Sequence, residues 1–255
     1  MKDVLRSRQT AFEHYLAQFC APIGWLPSLE APSMSLRAKT ATCALVDTGN
    51  IRAFVTCEHV WAEWELFREK NSEAVLLVGL GDGVPLILTN PDLVDSNEAW
   101  DIAVIRADHH SREFQTKAFY PIDEWPINQP KVGDVVAIIG FSASVRTFSA
   151  GSVTGWGIGF LGCRVSSVRS DKITLAPEND DRESSDGNWN AIQHTDIGGM
   201  SGSPTFLLKK NGKPALIGFL YEGKTSDNFI FVTPAHFIQA NGKLRDRSTR
   251  ELDSS

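Results

Sequence analysis

Short β-rich segments follow one another through most of this chain, and no long helical pattern separates them. The first batch runs TATCALVD, IRAFVTC, EAVLLVGL, VPLILT and WDIAVIRA, divided by turn signals such as Thr48-Gly49-Asn50 and Gly81-Asp82-Gly83. The second runs DVVAIIG, AGSVTGWGIG, CRVSSV, KITLA, SPTFLL, ALIGFLYE and NFIFVT. Strands this short and this numerous leave many unpaired edges unless their sheets close. The pattern therefore predicts two closed or nearly closed antiparallel β-units with a cleft between them. We place the first unit at residues 38–120 and the second at 134–244, joined by a linker at 121–133. The stretch YPIDEWPINQPKVGD across that linker holds three of the twelve prolines and little periodicity. Residues 1–37 form an N-terminal extension, in which Leu5, Phe12, Tyr15, Leu16 and Phe19 recur at three- and four-residue steps and predict an amphipathic helix. TPAHFIQANG predicts a short C-terminal helix ended by Gly242, followed by a polar tail at 245–255. PENDDRESSDGNWN is too charged for a core and is expected to be a surface loop beside a site.

Composition removes several functional classes. With 255 residues, 42% hydrophobic and 22% charged, the chain is ordinary globular material, sufficient for one domain or two small ones. A net charge of -6 argues against a surface built to bind nucleic acid or anionic lipid. No apolar run approaches the ~20 residues needed to span a bilayer. The N-terminal segment is broken by Arg6, Arg8, Gln9, Glu13 and His14, unlike a secretory leader. Cys20, Cys43, Cys57 and Cys163 have neither paired nor metal-ligand spacing, so we expect free, buried thiols, no metal site and a cytoplasmic protein.

Three local patterns carry chemistry. AFVTCEHV is a β run leading to His59, WDIAVI places Asp101 at the head of a β run, and GGMSGSP is a glycine-rich turn presenting Ser201. Taken singly, each has an ordinary structural explanation: a strand-end histidine, a strand start, a turn. In conjunction, and in the order His, Asp, Ser, they resemble the trypsin-like serine peptidases over residues 38–240. GDVVAIIGFS followed by AGSVTGW resembles the opening strands of that family's second barrel, and IGFLYEG its substrate-binding strand.

The resemblance implies two six-stranded antiparallel β-barrels, with the N-terminal helix and short C-terminal helix added. It also implies a catalytic triad of His59, Asp101 and Ser201, and an oxyanion hole formed by the N–H groups of Gly199 and Ser201. These residue types suit acyl transfer. A serine hydroxyl needs a base within hydrogen-bond reach, and an imidazole has the intrinsic pKa for it. A carboxylate behind that imidazole fixes its tautomer and stabilises the imidazolium. Glycines let consecutive N–H groups converge on a developing oxyanion. No cofactor is expected, and the substrate is expected to be a protein or peptide. The chain departs from zymogen-activated relatives, because Met200 stands where they carry an aspartate that pairs with a freed N-terminus. Val60 likewise replaces the cysteine that follows the histidine in extracellular relatives.

By the same resemblance the substrate pocket lies between His194, Thr195 and Asp196 on one side and Tyr221, Glu222 and Gly223 on the other. Asp196 with Glu222 would favour a basic side chain, and His194, if it reached the pocket, an acidic one. His14, His109, His110 and His236 are expected to be structural or solvated. The N-terminal helix and the acidic loop are candidate elements for regulation or for a partner protein, with plain packing and solvation as the simpler roles. The oligomeric state is left open. The rival functional class is a trypsin-like module that binds a peptide or partner without catalysis. An esterase on an α/β-hydrolase scaffold is disfavoured, since that scaffold orders its triad Ser first and His last.

Overall fold

The computed structural model describes residues 11–29, 40–79, 85–108, 117–121, 129–143, 146–149, 152–177, 197–209, 213–224 and 229–245. Residues 11–17 are helical (α1). The first unit is an eight-stranded curled sheet of β1 (Cys20–Leu26), β2 (Thr40–Asp47), β3 (Arg52–Thr56), β4 (Val75–Gly79), β5 (Pro85–Leu88), β6 (Leu93–Asn97), β7 (Ile102–Arg106) and β8 (Tyr120–Pro121). Their order is β5-β4-β1-β2-β3-β7-β6, with β8 added in parallel to β2. The second unit, built from β9 (Val135–Gly140), β12 (Gly159–Val168), β13 (Ile173–Pro177), β14 (Pro204–Leu207), β15 (Ala215–Lys224) and β16 (Phe229–Pro234), closes into a six-stranded barrel, β12-β13-β16-β15-β14-β9. A separate hairpin pairs β10 (Arg146–Ser149) with β11 (Ser152–Trp156).

Both faces of the central strands are buried, and the two-residue period decides which core each side chain enters. In β2, Ala41, Cys43 and Leu45 point into the first unit, whereas Ala44 and Val46 join the layer between the units. In β9, Val136 and Ile138 fill the second barrel, while Ala137 and Ile139 face that same layer. This explains the continuous apolar runs in the sequence, which carry none of the alternation of a half-solvated sheet. The N-terminal segment completes the middle layer. Leu16 and Phe19 are buried there, and Phe19 meets Tyr120 and Phe206 at ring separations of 5.3 and 6.1 Å.

Three elements differ from the sequence reading. Residues 20–26, assigned above to the helical extension, form β1, a strand paired on both sides, with β2 and β4. Residues 58–70, left without an element, form a helix, α2 (Glu58–Lys70), that buries Val60, Trp61 and Trp64 against the first unit. The C-terminal helix is a single 3-10 turn at Ala235–Phe237. Gly242 instead occupies a later turn with φ +80°, and Ile238 and Leu244 pair beyond the 3-10 turn. The acidic loop, His109, His110 and the polar tail lie outside the described residues. Among the described residues no helix is long and apolar enough to cross a membrane.

All four cysteines are buried, and none forms a disulfide. Burial raises the thiol pKa of Cys20 to about 11 and pushes Cys43 higher still. The thiolate is the reactive form. Thiol titration is therefore expected to count four sulfhydryls in denatured, unreduced protein and to proceed slowly in the native state. A count of two would show a disulfide in solution.

Candidate active site

Each candidate side chain is presented by a different local device. Thr56 ends β3, and Cys57 is the N-cap of α2, so His59 projects from the first turn of a helix packed on the first sheet. Asp101 caps the 3-10 turn Glu98–Trp100 in a left-handed conformation, φ 48° and ψ 56°. Aspartate visits that region more readily than most residues. Two anchors hold the turn: the Asn97 side chain accepts from the Trp100 N–H at 3.0 Å, and the Trp100 ring stacks on Phe237 at 4.1 Å. The Trp100 carbonyl also accepts from the Thr233 hydroxyl on β16, so the position of Asp101 depends on both units.

His59 and Asp101 are joined twice. The His59 backbone N–H donates to Asp101 Oδ1 at 2.9 Å, and His59 Nδ1 lies 2.7 Å from Asp101 Oδ2. An ionised carboxylate only accepts, so Nδ1 carries the proton and Nε2 is left as the basic nitrogen. The imidazole is about half exposed, at 49%, and the carboxylate much less so, at 21%. The hydrogen bond that His59 donates to Asp101 is the main cause that raises the His59 pKa above its ordinary value; burial opposes it, and the charges of Asp101, Glu63 and Glu58 add to the rise.

Ser201 stands in a double turn. Met200 N–H donates to the Ile197 carbonyl and Ser203 N–H to the Met200 carbonyl, both at 2.9 Å, and Gly199 and Gly202 hold φ +86° and +87° at the third positions. These are type II turns, whose third position favours glycine. Space demands glycine as well: a Cβ on Gly199 would lie 2.9 Å from the Ala143 nitrogen, and one on Gly202 would run into the Thr42 carbonyl. Gly202→Ala is accordingly expected to destabilise the fold by at least about 2 kcal/mol, a drop of roughly 5 °C in Tm by calorimetry. An unchanged Tm would show that this turn relaxes freely.

The Ala143 N–H holds the Gly198 carbonyl at 2.6 Å. A trans peptide points its C=O and N–H in opposite directions, so the Gly199 N–H is turned away from residues 141–143. Among the described residues, the N–H groups of Gly199 and Ser201 donate to nothing, whereas that of Met200 between them is used by the turn. The loop is also stitched to β15, through Gly202 N–H to the Leu220 carbonyl at 2.7 Å and Leu220 N–H to the Ser203 carbonyl at 2.9 Å.

Cys57 connects the two halves of the site and was not singled out by the sequence reading. Its thiol donates to the Leu220 carbonyl at 3.3 Å. Its pKa is raised well above the ordinary value, first by burial and then by the charge of Asp101, and hydrogen bonding with Ser201 opposes the rise. No hydrogen bond joins the Ser201 hydroxyl to His59 in this structure. Such bonds are often long in unliganded enzymes and tighten around substrate. Cys57, His59 and Asp101 bring potential metal-ligand atoms within 4.8 Å of one another. The His59 and Asp101 atoms already hydrogen-bond each other, and the Cys57 thiol is turned to the Leu220 carbonyl.

On the pocket side, His194, Thr195 and Asp196 lie outside the described residues. Tyr221 sits at a bulge of β15, stacked on Phe231 with ring centroids 6.1 Å apart. Burial, with the nearby charge of Glu222, raises its pKa to about 12. Glu222 is exposed. The space a Cβ on Gly223 would take is filled by the Ile197 side chain, so this glycine makes room for the chain itself. His14 is exposed on α1, and His236 packs edge-on against Phe237 at 4.8 Å.

No protein-family model and no curated protein matches the sequence. Solved structures do match. Deg5, a trypsin-like protease, aligns with TM-score 0.53 at 14% identity, covering 90% of this chain and 90% of its own. The serine protease domain of the Sesbania mosaic virus polyprotein aligns with TM-score 0.49 at 13% identity, covering 89% of this chain and 93% of that one. The fold is the trypsin-like two-barrel fold.

Proposed function

We propose that this chain, on its trypsin-like scaffold, is a serine endopeptidase that cleaves protein or peptide substrates through an acyl-enzyme. The observation that carries the proposal is the 2.7 Å His59–Asp101 pair beside a Ser201 turn whose neighbouring N–H groups are uncommitted among the described residues. In this reading His59 Nε2 takes the Ser201 proton as Oγ attacks the scissile carbonyl, and Asp101 stabilises the imidazolium without accepting the proton. The carbonyl oxygen becomes an oxyanion between the N–H groups of Gly199 and Ser201. His59 then protonates the leaving amine, and water hydrolyses the ester by the same relay.

Because Met200 cannot form a zymogen-type ion pair, the orientation of the Gly199 N–H is ascribed to the Ala143–Gly198 hydrogen bond, present without proteolytic activation. Specificity is assigned to the surface around Tyr221, Glu222 and Gly223 together with His194, Thr195 and Asp196, with a basic residue preferred before the scissile bond. A peptide library that shows no basic preference would remove that assignment. A cytoplasmic setting belongs to the same proposal and draws support from four cysteines of which none forms a disulfide. The test is covalent labelling of the folded protein by a fluorophosphonate probe. Failure to label would favour a non-catalytic module that binds a peptide or partner protein.

A further inference from the structure

We propose that Thr42 is a positioning residue whose hydroxyl, supplied by the first sheet, sets the backbone of the Ser201 turn in the second barrel. The inference rests on the peptidase reading above and adds a residue that no catalytic motif contains. Thr42 is fully buried on β2, on the strand face that points at the second unit. Its backbone N–H donates to the Ser201 carbonyl at 3.0 Å, and its Oγ1 donates to the Gly199 carbonyl at 3.0 Å. The same oxygen accepts from the Phe141 N–H at 2.9 Å. The Thr42 carbonyl in turn accepts from the Thr56 hydroxyl at 2.9 Å, next to Cys57.

The consequence is geometric. The two pinned carbonyls belong to the Gly199–Met200 and Ser201–Gly202 peptides, so the peptide between them, which carries the Ser201 N–H, is held at both ends from one side chain and its own backbone. Through Phe141 the hydroxyl also steadies the 141–143 segment, whose Ala143 N–H orients the Gly198–Gly199 peptide. Of the donors proposed for the oxyanion hole, the Gly199 N–H therefore sits on a peptide that Thr42 holds at one remove, and the Ser201 N–H on a peptide whose two neighbours Thr42 pins. Valine has the same branched shape and suits a strand, but it would leave the Gly199 carbonyl and the Phe141 N–H without this partner.

The experiment compares wild type with Thr42→Val and Thr42→Ser. For Thr42→Val, kcat on a peptide substrate is expected to fall about 30- to 100-fold with KM within about twofold, somewhat less than the loss of a whole oxyanion donor. The affinity advantage of a peptide aldehyde over the matching alcohol should shrink by a similar factor, and Thr42→Ser should restore both. Should the valine variant not fold, Thr42→Ala carries the same comparison. Wild-type kcat in a variant without the hydroxyl would overturn the inference, as would equal impairment of the serine and valine variants. If wild type itself neither cleaves nor labels, the peptidase reading fails separately. Amide hydrogen exchange over residues 199–203 then decides the positioning role: faster exchange in Thr42→Val and not in Thr42→Ser supports it, and no difference refutes it.

Discussion

Ser201→Ala is expected to abolish fluorophosphonate labelling and to cut kcat on a peptide substrate by about 10⁶-fold, the scale on which a nucleophile's loss disables a Ser-His-Asp unit. Only Oγ changes. The Ser201 carbonyl keeps its bond from Thr42, Gly202 and Ser203 keep theirs, and the turn retains both glycines. A neutral hydroxyl leaves no buried charge behind when it is removed, and Tm should stay near that of wild type. A chemical loss at constant stability is therefore the signature to look for. Equal labelling of Ser201→Ala would place the nucleophile elsewhere and end the present reading.

The second large effect concerns Asp101. In the peptidase mechanism kcat/KM depends on free enzyme with neutral His59, so activity rises with pH as that imidazole loses its proton. The Asp101 hydrogen bond favours the protonated form and raises the His59 pKa. The acidic limb of the profile should accordingly lie above the ordinary histidine value of about 6.5. Asp101→Asn removes the charge while keeping a residue that tolerates the left-handed backbone at this position. It is expected to lower kcat by about 10⁴-fold, because an amide no longer selects the Nδ1–H tautomer, and to move the limb to lower pH. An acidic limb unchanged by the substitution would dissociate Asp101 from the base. Alanine is a poorer choice, since it would mix loss of the carboxylate with backbone strain.

Much of this site was legible in the sequence because its parts are local. Glycines at 199 and 202, flanking the candidate serine, announce turns that other residues resist, and both adopt positive φ. His59 and Asp101 each adjoin a β run, and strands β3 and β7 pair side by side, which brings the two residues together. The parts that were hidden are those in which a tertiary partner overrides a local signal. Pro22 and Gly24 weaken CAPIGWL as a strand, yet pairing with β2 and β4 on its two sides makes it one. The strand series steps over residues 58–70, where Val60, Trp61 and Trp64 mark a buried helical face. Cys57 and Thr42 belong to the site only through contacts spanning 163 and 157 residues, to Leu220 and Gly199, which no spacing rule anticipates.

The strands that bury both faces have a further consequence. Every second residue of β2, β3, β7 and β9 contributes to a layer that neither half of the chain possesses by itself. Expressed separately, each half would carry a broad greasy flank into solvent and invite aggregation. Supplied together as two fragments severed at the connecting segment, the halves have reason to find each other, and the proposed activity would then exist only where both pieces meet.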